Sequence, residues 1–349
     1  MRYFSLSKLN TQDILLRKPL KIYFQWLFFV SLSFLVSCNY LSEETVSFSI
    51  TPQHLSSSYM NIKLLDSVAL NASSIDSLPI TELSDIAWDE DENLLYAISD
   101  EGFLYTLQLV IKNTKLQTLK VISAKQLKDI NGIPLTGKYK DSEGLTLLNS
   151  SNNKKDDSQL IISFENRPRI ARFTTKGQLL TNIKIPKKIS KKKYFQHKNN
   201  ALESVINHPK YGILTAAEKP IKDQPPELQT VYSNKNKEWH FFVSPDKGSA
   251  ITGLEVLPNG DVLILERAYQ NPLIPIVINL RRLKLEKCNQ LRICETETLA
   301  RFDGIDGWHL DNFEGITHIK DNLYLMVSDN NNNPLQTTIW VLFEVNPSQ

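Results

Sequence analysis

The chain has 349 residues, 41% hydrophobic and 22% charged, with a formal charge of +2 at pH 7. That apolar content supplies a large core and excludes intrinsic disorder. The charge resides largely in the first 37 residues. Without Arg2, Lys8, Arg17, Lys18, Lys21 and Asp13 it falls from +2 to −2, so no nucleic-acid partner is expected.

Taken in chain order, a basic stretch ending at Lys21 precedes the apolar run Ile22 to Val36. The run is short for a span of roughly 20 residues and carries Gln25, Ser31 and Ser33. It suits a secretory signal over 1–37. The next motif, Leu35-Val36-Ser37-Cys38, resembles the lipobox of bacterial lipoproteins, in which small residues precede an acylated cysteine. It implies lipidation at Cys38, with two or more acyl chains holding the protein on a membrane. The expected location is the cell envelope, at the periplasmic face of the outer membrane. An uncleaved anchor helix with a chance cysteine is the alternative. Residues 38–58, Ser-rich and aperiodic, read as a tether, and 59–347 as the folded domain.

From residue 83 a pattern repeats: a residue at the start of one strand-like run, and an acidic residue at the end of the next. The pairs are Ser84 with Asp100, Glu143 with Glu165, Glu203 with Glu218, Thr252 with Glu266, and Glu314 with Asp329. Their first positions fall 59, 60, 49 and 62 residues apart. In an antiparallel pair these positions share one sheet edge. Two further strand-like runs follow each pair, except after Asp329, where only "TTIWVLFEV" remains. The missing strand is available as Asn61 to Leu70, and pairing it into the last blade closes a ring without free edges. The expected fold is all-β: a β-propeller of four-stranded blades, five by strand count with six as the alternative, closed by the N-terminal strand.

The stretches "LSDIAWD…LYAISDEG", "DSEGLTLL", "NNALES", "ITGLEVLPNGDVLILERAY" and "DNFEGITHI…LYLMVSDNN" resemble the phytase-like family, also described as "esterase-like activity of phytase". The likeness spans roughly residues 75 to 345. It implies a propeller and a phosphoric-ester hydrolase. The family's Asn-Arg-Gly-Leu-Glu stands here as Asn199-Asn200-Ala201-Leu202-Glu203, without the cation; the segment Lys187 to Lys198 is a candidate substitute.

In a propeller the first strands line the central channel, so the repeated acids should gather at one mouth. Two carboxylates about 8 Å apart repel by roughly 2 kcal/mol at an effective dielectric near 20. Many of them together must be protonated, paired with cations or bound to metal. An all-oxygen set favours Ca²⁺ or Mg²⁺. The expected metal ligands are Asp100, Glu165, Glu218, Glu266 and Asp329. The catalytic set is Glu143, Glu203 and Glu314, with Arg167 and Arg267 orienting an anionic small molecule. The competing expectation is that the acids only latch neighbouring blades, in a non-catalytic propeller that binds a ligand or envelope partner. Glu255 is one residue out of register and should point to the other face of its strand. No G-x-S-x-G elbow is present. Cys288 and Cys294, separated by five residues in an exported chain, are candidates for a disulfide.

Overall fold

The computed structural model describes residues 45–346 apart from 198 and 334. The signal segment and Cys38 lie outside the described residues. The domain is a five-bladed propeller. Blade 1 consists of Leu83–Asp89, Leu94–Ser99, Phe103–Lys112 and Lys115–Gln126. Blade 2 starts at Ser142–Leu148, blade 3 at Leu202–His208 and blade 4 at Ser249–Val256, each a four-stranded antiparallel meander. Blade 5 takes Asn312–Lys320, Leu323–Asp329 and Ile339–Val345 from the C-terminal end and Ile62–Leu70 from the N-terminal end. Trp340 faces Val68 across that closing seam. The five-blade count and the N-terminal closure are therefore as expected.

The strands are buried on both faces, so they read as nearly continuous apolar runs, such as "LYLMVS". Each seam between blades is one cluster of that core. Leu160, Ile162 and Phe173 of blade 2 meet Tyr96 and Leu104 of blade 1, and Leu325 and Trp340 of blade 5 meet Leu95 and Leu107 of blade 1.

The first strands pack side by side around the axis, closer than ordinary side chains allow. A Cβ added at Gly144 would sit 2.6 Å from Ser204 Cα, and one at Gly315 2.9 Å from Asp85 Cα. Aligned on the repeat, this position is Asp85, Gly144, Ser204, Gly253 and Gly315. Asp85 is the exception, and its buried carboxylate fills the space the glycines leave. It accepts from the backbone N–H of Ile86 (2.8 Å), Leu145 of blade 2 (2.7 Å) and Ile316 of blade 5 (3.2 Å). Blades are thus latched at the axis, by a residue outside the expected set.

One expectation fails here. The described part of the tether, 45–58, packs onto the propeller. Thr45–Ser47 adds an outer strand to Ile62–Leu70, with Val46 opposite Ala69. Ile50 is 1% exposed, in the cluster that holds Phe302 and Trp308. A few apolar residues and backbone pairing suffice to anchor a Ser-rich segment that has no period of its own. Cys288 and Cys294 form a disulfide closing the last hairpin of blade 4.

Gly144→Ala should force two first strands apart, costing about 1–3 kcal/mol and lowering the melting temperature by several degrees. Deleting Ile62–Leu70 should expose the edge of Ile339–Val345 and send the protein into the insoluble fraction. A monomeric, cooperatively melting deletion variant would contradict the closure.

Candidate functional site: a carboxylate-lined channel mouth

The sequence repeat marks a structural irregularity. In every blade the pairing of the first two strands slips at the repeated position: between Leu83 and Asp85, Ser142 and Leu145, Leu202 and Ser204, Ile251 and Gly253, and Phe313 and Gly315. A β-bulge leaves one residue unpaired and re-aims its side chain. The bulged residues are Ser84, Glu143, Glu203, Thr252 and Glu314. Three acids are thereby aimed at one another around the axis, one residue from the Asp85 latch level.

The ends of the second strands complete the mouth, with one substitution. Asp329 pairs with Asn312, and the backbone N–H groups of Asp100, Glu165 and Glu218 donate to Glu82, Asp141 and Ala201. In blade 4, Ile251 pairs with Glu266 and Ala250 with Arg267. Arg267, not Glu266, occupies the equivalent place. Glu266 is 2% exposed on another face of blade 4, where Arg281 Nη1 donates to it at 2.9 Å. It is not a mouth ligand; a shift of one residue turns a strand side chain to the opposite face.

The result is a ring of four acids and one guanidinium. Arg267 donates to Glu314 at 2.8 Å, contacts Glu218 at 3.6 Å and also donates to Asn312. Burial opposes its charge, but Glu314, Glu218 and Glu203 outweigh that and hold its pKa above the ordinary value. Asn200, standing where the family has arginine, donates to Glu218. Lys192 reaches the mouth from the Lys-rich segment and donates to Asn166. Its charge eases the ionisation of Glu165 and Asp141. That segment thus brings a cation beside the blade 2 acids, while position 200 itself carries none.

On the blade 1–2 side the acids are less compensated. Ligand oxygens of Asp141, Glu143 and Glu165 lie within 4.8 Å of one another, as do those of Glu82, Asp100 and Glu101. Glu82, Glu101 and Asp141 were not among the expected ligands, although all three sit within two residues of repeat positions. Among the described residues, the carboxylates of Glu143 and Glu203 have no hydrogen-bond or ion-pair partner, and Asp100 Oδ1 is buried without one. Burial, then the charges of Glu203, Asp141, Glu165 and Glu314, push the Glu143 carboxyl well above the usual range. Burial and repulsion from Glu82 and Asp329 push Asp100 up to about 7. Glu165 and Asp329 also reach about 7, burial again the main cause.

Arg167 points away from the axis. It lies over the Tyr139 ring, 4.8 Å from its centroid, on the outer rim between blades 1 and 2. Its expected place over the mouth is not observed. Glu255 lies toward the opposite end of the first strand, accepting from His318 N–H at 2.9 Å. It borders a cavity of about 530 Å³ there.

The sequence matches the phytase-like family, "esterase-like activity of phytase", over residues 78–332, which takes in the whole mouth. The chain belongs to the phytase-like family. No curated protein matches it. Among solved structures, the phytase-like propeller is similar to the PQQ-bound aldose sugar dehydrogenase of Streptomyces coelicolor, with 10% identity and a TM-score of 0.41 over 81% of this chain and 97% of that one. The Pan2 WD40 domain of Neurospora crassa gives 9% and 0.37 over 84% and 98%. U3-55K gives 8% and 0.38 over 80% and 98%.

Asp100, Glu165 and Asp329 hold protons in the folded state that the unfolded chain releases near pH 4. Their raised values favour the fold at acid pH, and that contribution is lost as pH rises from about 4 through 7. In chelator, the melting temperature should fall over that window. Asp100→Asn should flatten the fall, raising the melting point at pH 8 by a few degrees while changing little at pH 4; equal effects at both pH values would refute the assignment.

Proposed function

We propose that this phytase-like propeller is a lipid-anchored, extracytoplasmic phosphoric-ester hydrolase that uses a divalent cation, Ca²⁺ first, at the carboxylate mouth. The observation that carries the reading is the gathering of half-buried and buried mouth acids with too little positive charge to balance them. Among the described residues, Glu143 accepts no hydrogen bond and makes no ion pair, Glu203 feels Arg267 only at a distance, and Asp141 and Glu165 bring their oxygens to Glu143. Such a site is stable at neutral pH only if positive charge enters it, and an all-oxygen donor set fits a hard cation.

Glu143, Asp141, Glu165 and Glu203 are the residues that would hold the ion, with Asp100 and Asp329 bordering them. Bound there, a divalent cation supplies charge to neutralise a phosphoryl oxygen and to acidify a water. The chain's own contributions are distinct. Arg267 is fixed by Glu314, Glu218 and Asn312, so it presents one oriented guanidinium without an ordering cost. Lys192 adds a second cation from the opposite wall. Location rests on the Leu35 to Cys38 motif, which brings the propeller to a membrane surface.

Calcium at a hundredfold excess over Kd should stabilise the fold by about 2.7 kcal/mol, which raises the melting temperature by several degrees. The shift should grow between pH 5 and 8 as the mouth acids ionise, and Glu143→Gln should remove it. A panel of phosphomonoesters, each with and without calcium, tests turnover. A calcium shift without turnover of any ester supports the non-catalytic, ligand-binding propeller instead; no shift and no bound metal would leave the acids as structural groups only. Cys38→Ala should block acylation and move the protein from the detergent to the aqueous phase, and unchanged partitioning would refute the anchor.

A further inference from the structure

Several cations are held by acids: Arg281 by Glu266, Arg301 by Asp246 and Asp303, Lys188 by Glu238 and, at the mouth, Arg267 by Glu314. The rim between blades 1 and 2 instead gathers cations around an aromatic ring. Three cations converge on the ring of Tyr139: Lys138 at 5.7 Å from its centroid, Arg167 at 4.8 Å and Arg169 at 5.9 Å. None of the three has a carboxylate within ion-pair distance among the described residues.

Arg169 is held in one orientation. Its guanidinium lies 3.6 Å from the centroid of the Phe164 ring, and it donates to the carbonyl oxygens of Arg167 (3.2 Å) and Tyr139 (2.5 Å). Arg167 donates to the Tyr139 hydroxyl. Burial, then the neighbouring Arg167, lower the Arg169 pKa to about 10, with Tyr139 and Asp141 working against the shift. The chain keeps two like charges together here, at a cost, although acids are plentiful two residues away.

The same arginines border a cavity of about 540 Å³. Its other walls are Ile133, Pro134, Leu135, Phe173 and Leu179, with the polar Asp129, Thr136 and Asn182 among them. Asp129 is occupied locally, its Oδ1 accepting from the N–H groups of Asn131 and Ile133 at 2.9 Å. The volume lies within the range of small-molecule sites, roughly 300–1,000 Å³. An apolar chamber with guanidinium groups at one edge matches an organic anion with an apolar body, and a fork of N–H donors matches phosphoryl oxygens. A free inositol polyphosphate is a poor match, because its remaining phosphates would meet either apolar walls or the mouth acids.

We propose that this chamber is a binding subsite for phosphate monoesters of apolar alcohols, aryl or short alkyl. Arg167 and Arg169 hold the phosphoryl oxygens at its edge, and Leu135, Phe173 and Leu179 enclose the organic group. The ligand is a soluble small molecule. The subsite deepens the hydrolase reading, because Glu165 and Asn166 directly precede Arg167 in the chain and the charged edge adjoins the Asp141–Glu143–Glu165 cluster. Its binding chemistry, however, needs no metal.

The test separates the two. Phenylphosphonate, which is not hydrolysed, and inorganic phosphate are titrated calorimetrically into the full-length protein in chelator. Phenylphosphonate should bind at least about tenfold more tightly than phosphate. Arg167→Gln, at an exposed position that leaves the fold undisturbed, and Arg169→Gln should each weaken it about tenfold or more, whereas Glu143→Gln should not. Should Arg169→Gln unfold the chain, Arg167→Gln alone decides. Equal affinity for the two anions, or loss of binding in Glu143→Gln with retention in Arg167→Gln, would overturn the subsite. So would binding only to vesicles containing phosphatidic acid, which would identify a lipid surface instead. Failure of the hydrolase reading would appear separately, as metal-free binding without turnover of phenyl phosphate in calcium.

Discussion

The carboxylate of Asp85 is the interaction on which the rest depends. It accepts three backbone N–H bonds from first strands of three consecutive blades, at a level where glycines let those strands approach almost to backbone contact. Burial pushes its pKa well above the usual range, and the three donors work against that shift. A ring drawn this tight leaves no room for a through-channel at that height. It also brings the next residue of each first strand, the bulged one, close to its four equivalents. The density of acids at the mouth is therefore a result of ring radius, and the electrostatic strain there follows from packing.

Blade 4 shows how small a change sets the chemistry of that ring. From Glu203 to Glu218 and from Glu314 to Asp329 is 15 residues; the same step from Thr252 reaches Arg267. Choosing the nearest acid, Glu266, puts a negative charge where the fold has a positive one. With Arg267 in place, one side of the mouth is balanced by Glu218 and Glu314, and the other side, around Asp141 and Glu143, is not. The asymmetry gives the mouth a distinct end at which positive charge is wanted. Repeats dictate where side chains gather, and single departures from the repeat dictate what the gathering can do.

Much of the architecture was legible because propellers are built from local repeats. The five pairs of strands, the borrowed strand at Ile62–Leu70, and the mouth positions of Glu143, Glu203 and Glu314 all follow from period-two alternation and spacing. What escaped the sequence has specific causes. Asp85 stands where the other blades carry Gly or Ser, so no repeat announces it. Glu82 and Asp141 precede their strands by one residue, outside the pattern as drawn, though the same search extended upstream would have reached them. The direction taken by Arg167 depends on Tyr139, which lies in the aperiodic connection between blades 1 and 2. Residues 45–58 anchor through backbone pairing and a few apolar contacts, neither of which leaves a periodic trace.

Blade 5 takes Ile62–Leu70 from near one end of the chain and Ile339–Val345 from the other. A ribosome delivers these strands in that order, so the earliest must wait for nearly the whole chain before it finds its partner. Blades 1 to 4 can form in sequence as they emerge, but the seams flanking blade 5 stay open until synthesis ends. Ring closure is thus the most non-local event in the protein, and the slowest step of maturation should lie there. Until then the nascent chain retains an unpaired apolar strand at its front, a natural handle for factors that hold proteins open.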